Sequence, residues 1–86
     1  MYIIQFKTVL YKYMKKFILK KFENFAKNLK LERLSQHLTQ KQLAEKINIA
    51  HQSYQAYEAG ISLPTLENLL KLCYVLNTSL NDLFDM

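Results

Sequence analysis

The side chains that could act in catalysis are His37, His51 and Cys73. Helical periodicity places them on a turn, on an exposed helix face and on a core face, so the spacing offers no nucleophile, base and orienting group at one site. Cys73 is the sole cysteine, and it has no cysteine or histidine at metal-ligand spacing. We therefore expect no enzymatic activity, no metal and no cofactor, and a reducing, cytoplasmic location.

Hydrogen bonding is the chemistry offered by the helix predicted for about residues 51–59. Tyr54 and Tyr57 fall on its inner face, and Gly60 ends it at no steric cost. That leaves four residues outside: His51, Gln52, Gln55 and Ala56. Glutamine both donates and accepts hydrogen bonds, so this face could bind a polar partner, although residue type alone favours simple solvation.

Five short helices are predicted to position this face. The first ends near Gln36, its apolar stripe comprising Phe22, Phe25 or Ala26, Leu29, and Arg33 or Leu34. His37 makes the turn. Thr39 and Gln42 then form a capping box for a second helix of two turns, whose inner residues are Leu43, Ala44 and Ile47.

Asn48 and Asn77 can adopt the left-handed backbone that ends a helix. Pro64 and Thr65 open the fourth helix, for which five inward residues are predicted: Leu66, Leu69, Leu70, Leu72 and Cys73. Ser79, three residues before Asp82, begins a short fifth helix carrying Leu80, Leu83 and Phe84.

Several elements recur here in the order and spacing of one family. They are Leu38-Thr39-Gln40-Lys41-Gln42-Leu43-Ala44, then Ile49 and Ser53-Tyr54, then Tyr57-Glu58-x-Gly60, then Leu63-Pro64-Thr65-Leu66-Glu67-x-Leu69 and Lys71-Leu72. The segment, about 60 of the 86 residues, closely resembles the Cro/repressor (Xre-like) helix-turn-helix family. The resemblance implies an all-α, five-helix, lambda repressor-like domain whose third helix enters the DNA major groove.

The resemblance also implies site residues. Base edges would be read by Ala50, His51, Gln52, Gln55 and Ala56, since Gln can pair with adenine and His can donate to guanine. Phosphates would be contacted by Thr39, Gln40 and Ser62, the free amides beside Gln40 suiting an anion, although Thr39 also serves as a helix cap. Arg33 and Glu58 would form a mostly buried structural ion pair.

Two features depart from the family pattern. Ala50 stands where a capping Ser or Thr is usual, which costs the third helix about 1 kcal/mol unless something else compensates. Ala59, Ile61 and Leu63 replace polar and basic residues in the loop that contacts phosphate. We therefore expect weak backbone affinity from the domain itself.

Charge is divided unevenly along the chain. Residues 1–21 contain six lysines and no acidic residue, whereas residues 22–86 contain six basic and seven acidic residues. We thus divide the chain into a basic aromatic extension, 1–21, and a helix-turn-helix domain, 22–86. Lys7 and Lys12 interrupt the apolar run of the extension, so we expect neither a signal peptide nor a membrane span.

Several roles for the extension stay open. Its lysines could supply phosphate contacts as a DNA arm. Phe6, Val9 or Leu10, Tyr13 and Phe17 fit one helix face, so it could instead continue the first helix and contact a second copy or another protein. Alternatively, Met14 is the native start.

Taken together, the sequence predicts a repressor-type transcriptional regulator that binds double-stranded DNA. A homodimer would set two third helices about 34 Å apart on a palindromic operator. The alternative is an antitoxin or adaptor whose main partner is a protein such as a toxin.

Overall fold

The computed structural model describes residues 2–86, with side chains from Lys7 onward. Its described part is built from α-helices in the following order: α1 Tyr2–Ser35, α2 Gln40–Lys46, α3 His51–Glu58, α4 Leu66–Leu76 and α5 Leu80–Phe84. This confirms the all-α architecture and the five helices predicted from the sequence. Phe6, assigned above to an apolar face of the extension, has a side chain outside the described part.

Helix α1 continues without a break through the boundary drawn at residue 21. It has 34 residues, which corresponds to about 51 Å at 1.5 Å per residue. The sole glycine and the sole proline of the chain are Gly60 and Pro64, so α1 contains neither helix breaker. Residues 7–20 are exposed, and burial begins in the following turns.

One hydrophobic core joins the C-terminal half of α1 to the four short helices. It comprises Phe25, Leu29, Leu43, Ala44, Ile47, Tyr54, Tyr57, Leu72, Leu76 and Leu83. The inner faces predicted for α2 and α3 are thus buried as expected. Because the core contains both tyrosines of α3, the orientation of that helix about its own axis is fixed.

Helix ends follow the local signals in the sequence. Thr39 Oγ1 accepts from Gln42 N at 3.0 Å while Gln42 Oε1 accepts from Thr39 N at 2.9 Å, which completes the capping box. Ser79 Oγ likewise accepts from Asp82 N at 3.0 Å. Asn48 at φ 59° and Asn77 at φ 52° adopt the left-handed conformation predicted for them. The turns are therefore encoded within three or four residues.

Helix α5 is held against α1 by hydrogen bonds from an asparagine side chain and by the stacking of two phenylalanine rings. Asn28 Nδ2 donates to the carbonyl oxygens of Asp82 at 3.2 Å and Leu83 at 3.1 Å. Phe25 and Phe84 stack with ring centroids 5.0 Å apart. The two hydrogen bonds from Asn28 satisfy carbonyl groups at the C-terminal end of α5, which have no partner within the helix.

Three predictions about the apolar faces were wrong. Leu66 and Leu70 are exposed rather than inward, and Leu76, which was not predicted, is buried. Phe22 also lies at the solvent edge of α1. Of the two residues offered for the last position of that stripe, Arg33 is buried and Leu34 is exposed. Helix α4 has leucines on both faces, so periodicity does not define a single inner side. Burial in the common core selects the side that includes Leu72.

Candidate nucleic-acid interface

The outer face of α3 is open to solvent over its first two turns. His51, Gln52 and Gln55 are exposed, Ala56 is half-buried and Ala50 is exposed at the N-cap. On the opposite side, Tyr54 is fully buried and its ring meets that of Tyr57 edge-on, with centroids 6.2 Å apart. The polar side chains therefore project from a helix that cannot roll without exposing two aromatic rings.

A buried ion pair joins α1 to the end of α3. Arg33 Nε lies 2.7 Å from Glu58 Oε2, and Arg33 Nη2 donates to Glu58 Oε1 at 3.0 Å. Arg33 Nη1 also donates to the carbonyl oxygen of Leu38 at 2.7 Å. The arginine thus holds three things together: α1, the turn before α2 and the last residue of α3. This is the bidentate geometry in which an arginine–carboxylate pair is strongest.

The protonation states around this pair follow from burial and hydrogen bonding. Burial alone would raise the pKa of Glu58, but hydrogen bonding, first of all from Arg33, outweighs burial and holds the pKa below its usual value. The same hydrogen bonds from Arg33 to Glu58 raise the pKa of the guanidinium. Burial raises the pKa of Tyr54 far above its usual range. At neutral pH the pair is therefore fully charged beside a protonated tyrosine.

The start of α2 lies next to the pair through Gln40. Gln40 Nε2 donates to Glu58 Oε1 at 3.2 Å, which uses one of its two N–H groups. Thr39 Oγ1 accepts from Gln42 N, which leaves its own hydroxyl hydrogen to donate elsewhere. Both side chains can therefore support the fold and still donate one hydrogen bond each to an anion.

Comparison with known proteins places this arrangement in a family. A helix-turn-helix family model matches residues 29–83, which is more than half of the chain. The chain belongs to the Xre/Cro-like helix-turn-helix family. The match covers α2, α3 and the Arg33–Glu58 ion pair, so the helix-turn-helix and the ion pair that stabilises it both lie within the matched region.

Two curated proteins resemble the chain. The cryptic phage CTXphi transcriptional repressor RstR of Vibrio cholerae is 47% identical over 45 residues, which is 52% of this chain and 40% of the repressor. The HTH-type transcriptional regulator YqaE of Bacillus subtilis is 37% identical over 57 residues, 66% of this chain and 49% of the regulator. The chain thus matches less than half the length of either relative. No solved structure gives a significant match.

Within the helix-turn-helix unit, the structure assembles a shallow depression that sequence reasoning missed. His37 from the turn after α1 and His51 from α3 line it together with Thr39, Gln40 and Lys41, around about 510 Å³. Lys41 carries a positive charge beside two of the residues expected to contact phosphate. The sequence signal that could have indicated a role for Lys41 was its position directly after Gln40 at the start of α2. Ser62 lies elsewhere, in the exposed loop between α3 and α4.

The residues considered first for catalysis do not meet at one site. His37 and His51 border the depression, whereas Cys73 is half-buried in α4, where burial raises the pKa of its thiol. In the part of the chain that the structure describes, no cluster of acidic, histidine and cysteine side chains could hold a metal ion. Across those same residues, no helix combines the length and apolar character needed to cross a membrane. Both relatives are named as transcription regulators.

Proposed function

We propose that this protein is a sequence-specific, non-enzymatic transcriptional regulator that places α3 in the major groove of double-stranded DNA. The observation that carries the proposal is the exposed polar face of α3, with His51, Gln52 and Gln55 outward and two buried tyrosines behind it. A rigid helix with short polar side chains at its N-terminal end suits the reading of base edges. The repressor named above as a relative supports a repressive role.

In this proposal the base contacts come from the start of α3. Gln52 and Gln55 would each engage an adenine edge as donor and acceptor, and His51 would donate to guanine O6 or N7. Ala50 and Ala56 would contribute apolar contacts, for which the thymine methyl group is the natural partner.

Phosphate contacts would come from the beginning of α2 and from the loop after α3. Thr39 and Gln40 have one donor hydrogen each to spare, and Lys41 supplies the positive charge beside them. Ser62 would contact the backbone on the other side of α3. The Arg33–Glu58 pair would act only through the structure, because both side chains are buried and face each other.

We also propose that the protein binds a palindromic operator as a homodimer, with residues 1–21 as a basic extension of the domain formed by residues 22–86. The exposed lysines of α1 would then add backbone affinity that the nearly neutral domain lacks. A soluble, cytoplasmic location accords with this role.

Selection of bound duplexes from a random DNA pool tests the proposal directly. We expect enrichment of one sequence, and then a loss of about 1–3 kcal/mol of discrimination at one base pair for each of Gln52→Ala and Gln55→Ala. Asn81→Ala, which removes an exposed amide from α5, should leave the sequence preference unchanged. No enrichment, or uniform weakening on all sequences by the two α3 variants, would contradict base reading.

A further inference from the structure

Helix α4 has an apolar ridge on its outer side. Leu66, Leu70 and Tyr74 follow one another at intervals of four residues and are 68%, 52% and 88% exposed. Side chains with this spacing form a continuous row along a helix, about 12 Å long from the first residue to the third. Two of its three residues, Leu66 and Leu70, are ones that periodicity had wrongly assigned to the core.

The ridge continues onto a neighbouring apolar surface. Leu70, Tyr74 and Val75 border a surface cavity of about 550 Å³ together with Ile47 at the end of α2. An aromatic side chain covers about 150–250 Å² when buried, so the ridge and its flanks offer on the order of 500 Å² per copy. A symmetric pair would bury on the order of 1,000 Å², which lies at the low end for specific interfaces.

The ridge points away from α3. Asn68, on the opposite side of α4, donates from Nδ2 to the Tyr57 hydroxyl at 3.2 Å, and Leu72 on that side is fully buried. A partner that covers the ridge would therefore leave the outer face of α3 free.

The charges beside the ridge on one copy are complementary to the same charges on a second copy. Glu67 and Lys71 lie together on one flank, with Lys71 Nζ 3.6 Å from Glu67 Oε1. If a twofold axis perpendicular to α4 passes near Leu70, the two α4 helices run antiparallel, which brings Glu67 of each copy towards Lys71 of the other. The apolar residues of α1 offer no such match: the lysines of residues 7–21 have no acidic residue among them, so pairing there would set like charges together.

We propose that the ridge formed by Leu66, Leu70 and Tyr74 is the surface through which two copies of this chain pair, with α4 packed against α4. The biological purpose of this pairing, binding two half-sites, rests on the proposed function, but the contact itself does not require DNA. The small area predicts a weak dimer whose population depends on protein concentration.

Sedimentation equilibrium of the full chain without DNA, from about 1 μM to about 1 mM, tests the pairing in the range expected for such an interface. We expect a monomer–dimer equilibrium whose dissociation constant rises at least about tenfold for Leu70→Gln and for Tyr74→Ser, since each change acts twice in a symmetric interface. Leu31→Gln is the matched control because Leu31, on α1, is 54% exposed, and it should leave the equilibrium unchanged. Circular dichroism verifies that each variant is folded.

Charge reversal gives a second, independent arm. Glu67→Lys and Lys71→Glu should each weaken the dimer, and the two together should restore it, because reversing both charges recreates the complementary pairs. A chain that stays monomeric at every concentration overturns the proposal. A dimer that resists the two ridge variants and the two charge reversals but dissociates with Phe17→Gln overturns it too, since the interface would then lie on α1.

Binding to the duplex selected from the random pool separates this inference from the proposed function. Leu70→Gln should retain the wild-type affinity for a single half-site and lose affinity for the full palindrome. A wild-type chain that dimerises through the ridge but selects no DNA refutes the proposed function alone. One that selects DNA while remaining monomeric refutes the ridge alone.

Discussion

Removal of the arginine from the buried ion pair should cost much of the stability of this protein. In Arg33→Ala, the Glu58 carboxylate would lose hydrogen bonds of 2.7 Å and 3.0 Å and keep only the 3.2 Å contact from Gln40. Its side chain is 4% exposed, so solvent would compensate poorly for the lost partner. Leaving one buried charge unpaired costs about 3–5 kcal/mol.

This cost is a large fraction of the free energy of unfolding. At about 0.05–0.15 kcal/mol per residue, a chain of this length has a free energy of unfolding of roughly 4–13 kcal/mol. Urea denaturation followed by circular dichroism would measure the change, and Lys30→Ala, which removes an exposed base from the same helix, is the matched control. We expect Lys30→Ala to lie within about 0.5 kcal/mol of the wild type.

A double variant separates the orphaned charge from lost packing. Arg33→Met combined with Glu58→Met removes both charges and keeps apolar volume, and such replacements are often close to neutral. We therefore expect the double variant to be more stable than Arg33→Ala. The reasoning would be refuted by an Arg33→Ala protein as stable as the wild type, or by a double variant that is less stable than the single one.

The pH dependence should have opposite signs in the two proteins. In the wild type the pKa of Glu58 in the folded state is below its ordinary value of 4.5, so the pair stabilises fully above pH 4.5 and this contribution is lost as the pH falls through the folded pKa. In Arg33→Ala burial would raise the folded pKa instead, so stability would be lost as the pH rises through that value. The difference in unfolding free energy between the two proteins should therefore shrink in acid.

Two further changes test other features of the site. Ala50 at the N-cap of α3 has φ −64° and ψ 144° and makes no side-chain cap, so Ala50→Ser should raise the free energy of unfolding by about 0.5–1 kcal/mol; no gain in thermal or urea unfolding would contradict the geometry. Lys41→Gln should reduce the slope of log affinity for the selected duplex against log salt by about 0.9. The double variant Lys12→Gln with Lys16→Gln should reduce that slope by about twice as much if α1 is a DNA arm. Unchanged slopes would exclude those phosphate contacts. Lys27→Gln removes another exposed positive charge from α1 and is the control, since it shows whether the loss of any lysine changes the salt dependence equally.

The sequence by itself determined where the four short helices begin and end and the direction in which α3 faces, but it left open whether residues 1–21 continue α1. Thr39 with Gln42, Ser79 with Asp82, and the left-handed Asn48 are local devices: each depends on groups within three or four residues. The same holds for the two tyrosines of α3, because no other large apolar side chain in that helix could compete for the inner side.

Only the tertiary structure decided which side of α4 is buried and what the site residues contact. Leu66 and Leu72 are equally apolar, and only the assembled core determines that Leu72 is buried and Leu66 exposed. The sequence likewise could not show that Gln40 donates to Glu58, or that Lys41, His37 and His51 share one depression. Burial and hydrogen bonding between distant residues depend on helix packing, and packing is settled by the combined fit of all five helices rather than by any single stretch of chain.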